Sequence, residues 1–267
     1  EPRINSSSIN LSSVERVENN NYLFLNITIN QNAKNEIIEI NFYDNGNLVD
    51  KYDFSLLKRR ENASKVKGFD NSDVMYLITP DRFANGDYEN DDIEYMYERP
   101  NRENNRGLHG GDIQGIIDNL DYINDLGFTT IWLNPVLENN MKKSSYHGYS
   151  TTDYYKVDPR FGTNELFKKL SSKAREKEIK LVMDMIPNHC GSEHWFFKDP
   201  PMDNWINNQS GFKQTSHRRE TVQDIYASEI DKKEHADGWF VETMPDLNQK
   251  NKKMSKYLIQ NTLWWIE

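Results

Sequence analysis

Three polar clusters hold the residue types that chemistry needs. The first runs Thr79-Pro80-Asp81-Arg82-Phe83-Ala84-Asn85-Gly86-Asp87 and continues with Asn90-Asp91-Asp92, crowding carbonyl and carboxylate oxygens into one short segment. Ca²⁺ takes about six to eight hard oxygen ligands from a flexible loop, and the spacing of Asn85, Asp87, Asn90 and Asp91 allows that. The spacing is not the helix–loop–helix calcium pattern, and an ordinary Asn/Asp/Gly turn has the same composition. The second cluster is Tyr146-His147-Gly148-Tyr149, with Asp153 and Tyr154 close behind; the third is Asp184-Met185-Ile186-Pro187-Asn188-His189. His147 and His189 could converge on one cleft as hydrogen-bond donors. No further nitrogen or sulfur ligand is spaced for zinc, and a satisfied structural histidine is the plain alternative for each. His109, His194, His217 and His235 fit no pattern and read as surface or packing residues. Asp184 is expected at the end of a buried strand, where an unpaired carboxylate is costly, so it needs a partner. An arginine is the expected kind, and none in the chain stands out. There is no G-x-S-x-G elbow, no P-loop and no G-x-G-x-x-G after a strand.

The elements that must position these clusters are legible as periodicity. Val74-Met75-Tyr76-Leu77-Ile78 is a continuous apolar run, as a strand buried on both faces requires. Ile113, Ile116, Ile117, Leu120, Ile123 and Leu126 recur at helical spacing, and Gly127 ends that helix. Thr129 to Leu133 reads as a second strand stopped by Asn134-Pro135. Leu166, Phe167, Leu170 and Ala174 mark a second helix from Thr163-Asn164, and Ile179 to Ile186 a third strand. Alternating strands and helices imply parallel βα units, whose functional groups sit on loops after the strand carboxyl ends. Each cluster follows one such strand. The reading therefore divides the chain into a partial β-sandwich of about four strands over residues 1–62 and a linker over 63–72. Three strands with two helices follow over 73–189, then a polar insertion over 190–250 and the start of a third helix over 251–267. Three βα units do not close an eight-stranded barrel, so a piece of a larger architecture is expected.

Composition excludes several classes. A chain of 267 residues that is 36% hydrophobic can bury a sizeable core. A net charge of -9 argues against nucleic-acid binding and against attachment to anionic lipid by charge alone. Mean hydropathy of -0.89, with no long apolar run, excludes a transmembrane helix. The lone Cys190 excludes an internal disulfide. Fourteen Tyr, twelve Phe and six Trp argue against disorder, and such rings suit flat polar ligands such as sugars, although any single ring is more often core.

Taken together, the clusters resemble the α-amylase family of glycoside hydrolases. Asp184 to His189 is similar to the family's strand-three signature D-x-x-x-N-H, and Tyr146 to Tyr149 to its substrate-cleft loop after strand two. Thr79 to Asp87 followed by Gly110-Gly111-Asp112 resembles the calcium loop of cyclodextrin-processing members. Met244-Pro245-Asp246-Leu247-Asn248 resembles the end of domain B. His194-Trp195-Phe196-Phe197-Lys198-Asp199 and the closing Leu263-Trp264-Trp265-Ile266-Glu267 resemble the neopullulanase and cyclomaltodextrinase branch. The resemblance implies an α/β fold: the first part of a (β/α)8 TIM barrel with domain B inserted after strand three. Part of an N-terminal immunoglobulin-like β-sandwich precedes it.

The implied activity is retaining hydrolysis of α-1,4-glucosidic bonds in maltooligosaccharides, cyclodextrins, pullulan or starch-derived glucans. A transglycosylase or a non-catalytic glucan-binding protein on the same fold is the alternative. By the same resemblance Tyr146, His147, Tyr149 and His189 bind substrate, and Asp184 supports the site by holding an arginine of strand four. Asn85, Asp87, Asn90, Asp91, the Gly110 carbonyl and Asp112 hold calcium, while a second calcium on Asn188 and Asp246 stays open. The nucleophile, the acid and the third carboxylate are expected after Glu267, so residues 1–267 alone are expected to be inert. The implied partners are an α-glucan or maltooligosaccharide, with no nucleic acid and no transmembrane segment. A homodimer through the sandwich stays open, and a periplasmic or secreted location is expected.

Overall fold

The computed structural model describes residues 1–58 and 67–266. Residues 63–66 of the expected linker lie outside the described residues. The chain divides into two compact units, meeting between residues 66 and 67.

The first unit holds β1 (Pro2–Ile4), β2 (Ile9–Arg16), β3 (Leu23–Ile29), β4 (Glu36–Asp44) and β5 (Asn47–Leu56). They form two antiparallel sheets, β1-β4-β5 and β2-β3. The sequence led us to expect about four strands. The fifth, Pro2–Ile4, is too short to show a period and exists through its pairing with Ile40 to Phe42. Asn45 (φ 47°) and Gly46 (φ 83°) make the tight turn between β4 and β5, as two positive-φ residues must in a two-residue hairpin. Ile9, Ile38 and Leu56 form a small core flanked by Ile4, Ile27, Ala33 and Phe54.

The second unit begins with β6 (Met75–Ile78), α1 (Pro80–Phe83), α2 (Ile113–Asp118), α3 (Leu120–Asp125) and β7 (Thr130–Leu133). It continues with β8 (Leu137–Glu138), β9 (Asp153–Val157), α4 (Asn164–Glu176) and β10 (Lys180–Met183). The parallel sheet runs β10-β7-β6, with Ile78 and Met183 both opposite Leu133. Ile78, Ile131 and Leu133 join Ile113, Ile116, Leu120, Ile123 and Leu170 in one core. Burial on both faces does not hold for these strands: Leu77 and Trp132 are 51% and 36% exposed. Among the described residues the helices pack on one face of the sheet only.

The helix expected over 113–126 is two pieces. Asn119 leaves helical geometry (φ −108°, ψ 15°), and its side-chain amide donates to the Gly115 carbonyl at 2.8 Å. A short amide side chain competes here with the helical ladder. Gly127 (φ 84°) ends the second piece, as the sequence leads one to expect. α4 is one amphipathic helix capped by the Thr163 hydroxyl on the Leu166 N–H, with Phe167, Leu170 and Ala174 buried. The two-strand ladder β8-β9 was not legible, because Leu137-Glu138 is too short for a pattern; it frames the loop that carries the second polar cluster.

Residues 190–250 are less open than their composition suggests. α5 (Trp195–Lys198), α6 (Glu220–Gln223) and α7 (Glu229–Ala236) accompany a buried set containing Phe196, Trp205 and Trp239. His194 is a packing residue here, with its ring 4.4 Å from Phe196 and burial pushing its pKa down to about 3. α8 (Lys252–Ile266) docks on β9: Asn261 Nδ2 and Trp265 Nε1 both donate to the Tyr154 carbonyl, at 2.6 and 2.9 Å.

Candidate functional site

The second and third clusters meet at the carboxyl ends of β7 and β10. After β8 the chain forms a 3-10 turn, Ser145–His147, and reverses at Gly148 (φ 79°). A Cβ at Gly148 would lie 2.0 Å from the Pro135 carbonyl oxygen, so only glycine lets the turn close on the end of the sheet. The Tyr149 N–H donates to His147 Nδ1 at 2.9 Å. That bond puts the imidazole proton on Nε2, which meets no partner among the described residues. Burial lowers the His147 pKa, so the ring is neutral and presents one donor. The Tyr149 hydroxyl donates to Asp184 Oδ2 at 3.0 Å, and Trp132 Nε1 donates to the same oxygen at 3.3 Å. Burial and Asp184 push the phenol up to about 12, so it remains a donor and the ring is pinned at its far end. The Tyr146 ring lies beneath the Arg82 guanidinium at 4.1 Å.

Two of the expected site residues have partners within the chain. His189 joins the cluster but is no free donor: its Nε2 bonds the Tyr149 carbonyl at 3.0 Å, and Asn188 Nδ2 bonds its Nδ1 at 3.1 Å. Its ring stacks on Phe240 at 5.7 Å and 17°. With both nitrogens engaged, His189 braces the loop after β7 against the loop after β10. Asp184 is half-buried rather than fully buried, because β10 is an edge strand among the described residues. Among the described residues its partners are a phenol and an indole, both on Oδ2; the arginine that the resemblance places on strand four is not among residues 1–267. Trp132 was missed as a site residue. The signal was available: it sits one residue before the end of β7, on the face of the strand opposite Ile131 and Leu133.

Asp246 lies beside His189 in a backbone bridge and accepts from Asn207 Nδ2 at 2.8 Å. Burial pushes its carboxyl up to about 7. With the folded pKa above the unfolded value, the folded state binds the extra proton, so stability is lost as pH rises from about 4 to about 7. Asp246→Asn is therefore expected to raise the melting temperature at pH 8 by roughly 3–6 °C and to leave it nearly unchanged at pH 4. Equal shifts at both pH values would refute the buried charge as the cause.

The first cluster forms its own site. Asp112 caps α2, accepting from Gly115 N at 2.6 Å, Gly86 N at 3.1 Å and Asp87 N at 2.8 Å. Both its oxygens are thereby turned to backbone N–H groups, which makes it the organiser of the loop rather than a free ligand. Asn85 Nδ2 donates to Asp91 Oδ1 at 2.7 Å, leaving Asn85 Oδ1 buried without a partner; Asn90 Oδ1 is orphaned in the same way. Gly110 (φ 86°) closes the cradle, for a Cβ there would lie 2.5 Å from the Asp91 carboxylate. Burial raises the Asp91 pKa. Two buried amide oxygens without a partner, close to Asp91 and Asp112, are hard donors that fit a hard cation and no soft one. The set is amide, carboxylate and carbonyl oxygen, and no group of three or more His, Cys, Asp or Glu among the described residues could hold a metal.

A parallel α/β sheet with its polar clusters on the carboxyl-end loops is the architecture of the opening strands of a (β/α)8 barrel. Residues 77–267 match the α-amylase catalytic domain, and residues 1–60 the cyclomaltodextrinase N-terminal domain. The chain belongs to the α-amylase family. It is 36% identical over 197 residues to a cyclomaltodextrinase of Geobacillus thermopakistaniensis, which covers 72% of this chain and 31% of that protein. It is 31% identical over 196 residues to neopullulanase 2 of Thermoactinomyces vulgaris, covering 73% and 32%. A crystal structure of an Anoxybacillus α-amylase superposes with a TM-score of 0.59 at 36% identity, over 73% of this chain and 38% of that one. The chain thus spans about a third of the length of the curated relatives it matches.

Proposed function

We propose that this chain supplies the sugar-holding side of the cleft in a retaining hydrolase of α-1,4-linked glucans, with maltooligosaccharides and cyclodextrins as substrates. The relatives named cyclomaltodextrinase and neopullulanase support the substrate class. The observation that carries the reading is the pair Tyr149 and His147. A pinned aromatic face stands beside one outward N–H donor, which is what a pyranose ring with apolar faces and equatorial hydroxyls requires. Retention needs two carboxyls about 5 Å apart, one acting as nucleophile and one as acid then base. Asp184 belongs to neither role, because its Oδ2 is committed to Tyr149 and Trp132. By the family resemblance the reacting carboxylates come from later strands, so the reaction belongs to the intact protein encoded by the gene. The test is proton NMR of γ-cyclodextrin or maltohexaose digestion by that protein in its first minutes. The α-anomer is expected to appear first; the β-anomer first, or no cleavage, would overturn the reading.

The same reading assigns calcium to Asn85, Asp87, Asn90, Asp91 and the Gly110 carbonyl, with Asp112 ordering the loop from the helix end. The ion would join the segment after β6 to the start of α2 and would take no part in bond cleavage. Calcium at about 100 times its dissociation constant adds about 2.7 kcal/mol. For a protein of this size that is a rise of roughly 5–10 °C in melting temperature over chelator-treated protein. No shift with calcium, or an equal shift with magnesium, would count against this site.

A further inference from the structure

The turn that presents His147 is held by two side chains that lie outside every cluster singled out in the sequence. Glu98, half-buried on the segment after β6, accepts the Ser144 N–H at 3.0 Å on Oε1. Its Oε2 accepts both the N–H and the hydroxyl of Ser145, each at 2.6 Å. Ser144 stands in the left-handed region at φ 59°, a conformation that a non-glycine residue keeps only when its surroundings enforce it. Arg160, buried after β9, spends all five of its N–H groups inside the protein. Nε and Nη2 fork onto Asp158 at 2.9 and 2.7 Å. Nη1 bonds the Ser145 hydroxyl at 3.0 Å and the Glu98 carbonyl at 3.3 Å, and Nη2 also bonds the Asn139 carbonyl at 2.8 Å. Ser145 is thus gripped from both sides, by a carboxylate and by a guanidinium, one residue before Tyr146 and two before His147.

We infer that Glu98 and Arg160 are positioning residues of the sugar site, locking the Ser144–His147 turn so that His147 Nδ1 faces the Tyr149 N–H and its Nε2–H faces the glucan. This rests on the glucan reading above. Neither side chain is placed to touch the sugar; each acts through Ser145. Without Glu98, Ser144 loses the acceptor that stabilises its left-handed backbone, and the 3-10 turn can relax. A misplacement of about 1 Å in a group that binds the transition state costs about a hundredfold in rate. The loss therefore falls on kcat and spares KM, because ground-state stacking on Tyr149 is untouched.

The experiment uses the intact protein with ¹⁵N-labelled histidine, as wild type, Glu98→Ala, Glu98→Gln and Ser145→Ala. Three quantities are read: thermal melting, the ring-nitrogen shifts of His147 (assigned by their loss in His147→Gln), and kcat and KM on maltohexaose. The wild type is expected to show a single Nε2–H tautomer. Glu98→Ala is expected to mix the two tautomers and lower kcat about 10–100-fold with KM within about threefold. Glu98→Gln keeps one acceptor oxygen and is expected to fall between the two. Ser145→Ala reports the same effect if Glu98→Ala does not fold. A pure Nε2–H signal with unchanged kcat in a folded Glu98→Ala or Ser145→Ala protein overturns the inference. A wild type that cleaves no glucan overturns the functional reading instead, while the tautomer signals still decide whether Glu98 sets the ring.

Discussion

Replacing His147 with alanine in the intact protein is expected to lower kcat for maltooligosaccharide cleavage by about 10²–10³-fold, with KM changed by less than about threefold. The size follows from where the bond acts. Nε2–H is a preorganised donor, fixed by the Tyr149 N–H on the opposite nitrogen and neutral because burial lowers its pKa. A hydrogen bond to a sugar hydroxyl strengthens as the ring gains oxocarbenium character, so it stabilises the transition state more than the bound substrate. His147→Gln keeps a donor of similar reach and is expected to retain part of the activity. Steady-state kinetics on maltohexaose decide it. An unchanged kcat with a raised KM would mean that the imidazole binds substrate and transition state alike. An unchanged kcat and KM would return His147 to a purely structural role.

The second large effect is on stability. Asp158→Ala is expected to destabilise the unit covering residues 67–266 by about 3–5 kcal/mol, because it leaves Arg160 charged and buried. Asp158 and Arg160 are almost wholly buried, with side chains 0% and 3% exposed and 2.7 Å apart. Asp158 also accepts the Asn139 N–H at 2.9 Å and the Arg160 N–H at 3.0 Å, so its loss strands two backbone donors besides the guanidinium. Replacing both partners, as Asp158→Leu with Arg160→Met, is expected to recover only the part of the loss due to the buried charge, since the Asn139 N–H and the carbonyls of Asn139 and Glu98 still lose their partners. Urea unfolding of the single and double variants checks this. A loss below about 1 kcal/mol for Asp158→Ala would mean that water reaches the guanidinium and the pair is not dry.

Periodicity carried the sequence reading as far as side chains repeat. The apolar run at Val74–Ile78 and the helical spacing through Leu170 and Ala174 fixed the parallel βα order, and the three polar clusters fell on the strand ends where such folds keep their chemistry. What stayed hidden depends on partners far apart in the chain. Glu98 reaches Ser144 and Ser145 across 46 and 47 residues, and no local pattern marks it. Tyr149 and Trp132 converge on Asp184 Oδ2 from a loop and a strand, two neutral donors that no local pattern marks. His189 lies beside the second cluster, and the hydrogen bonds of both its ring nitrogens, to Asn188 and to the Tyr149 carbonyl, were not legible in the sequence. Trp132 was visible as an aromatic residue in a strand, but only the one-sided burial of the sheet shows which way it faces.

The claim that Tyr149 and His147 hold a glucose unit is tested most directly by a crystal structure of the intact protein with a slowly hydrolysed pseudo-oligosaccharide of α-1,4-linked units. The account predicts one sugar ring lying flat on the Tyr149 face, with a hydroxyl oxygen about 2.7–3.1 Å from His147 Nε2 and the Tyr149–Asp184 hydrogen bond intact. A ligand bound elsewhere in the barrel, with the Tyr149 face bare and Nε2 turned to solvent, would contradict it.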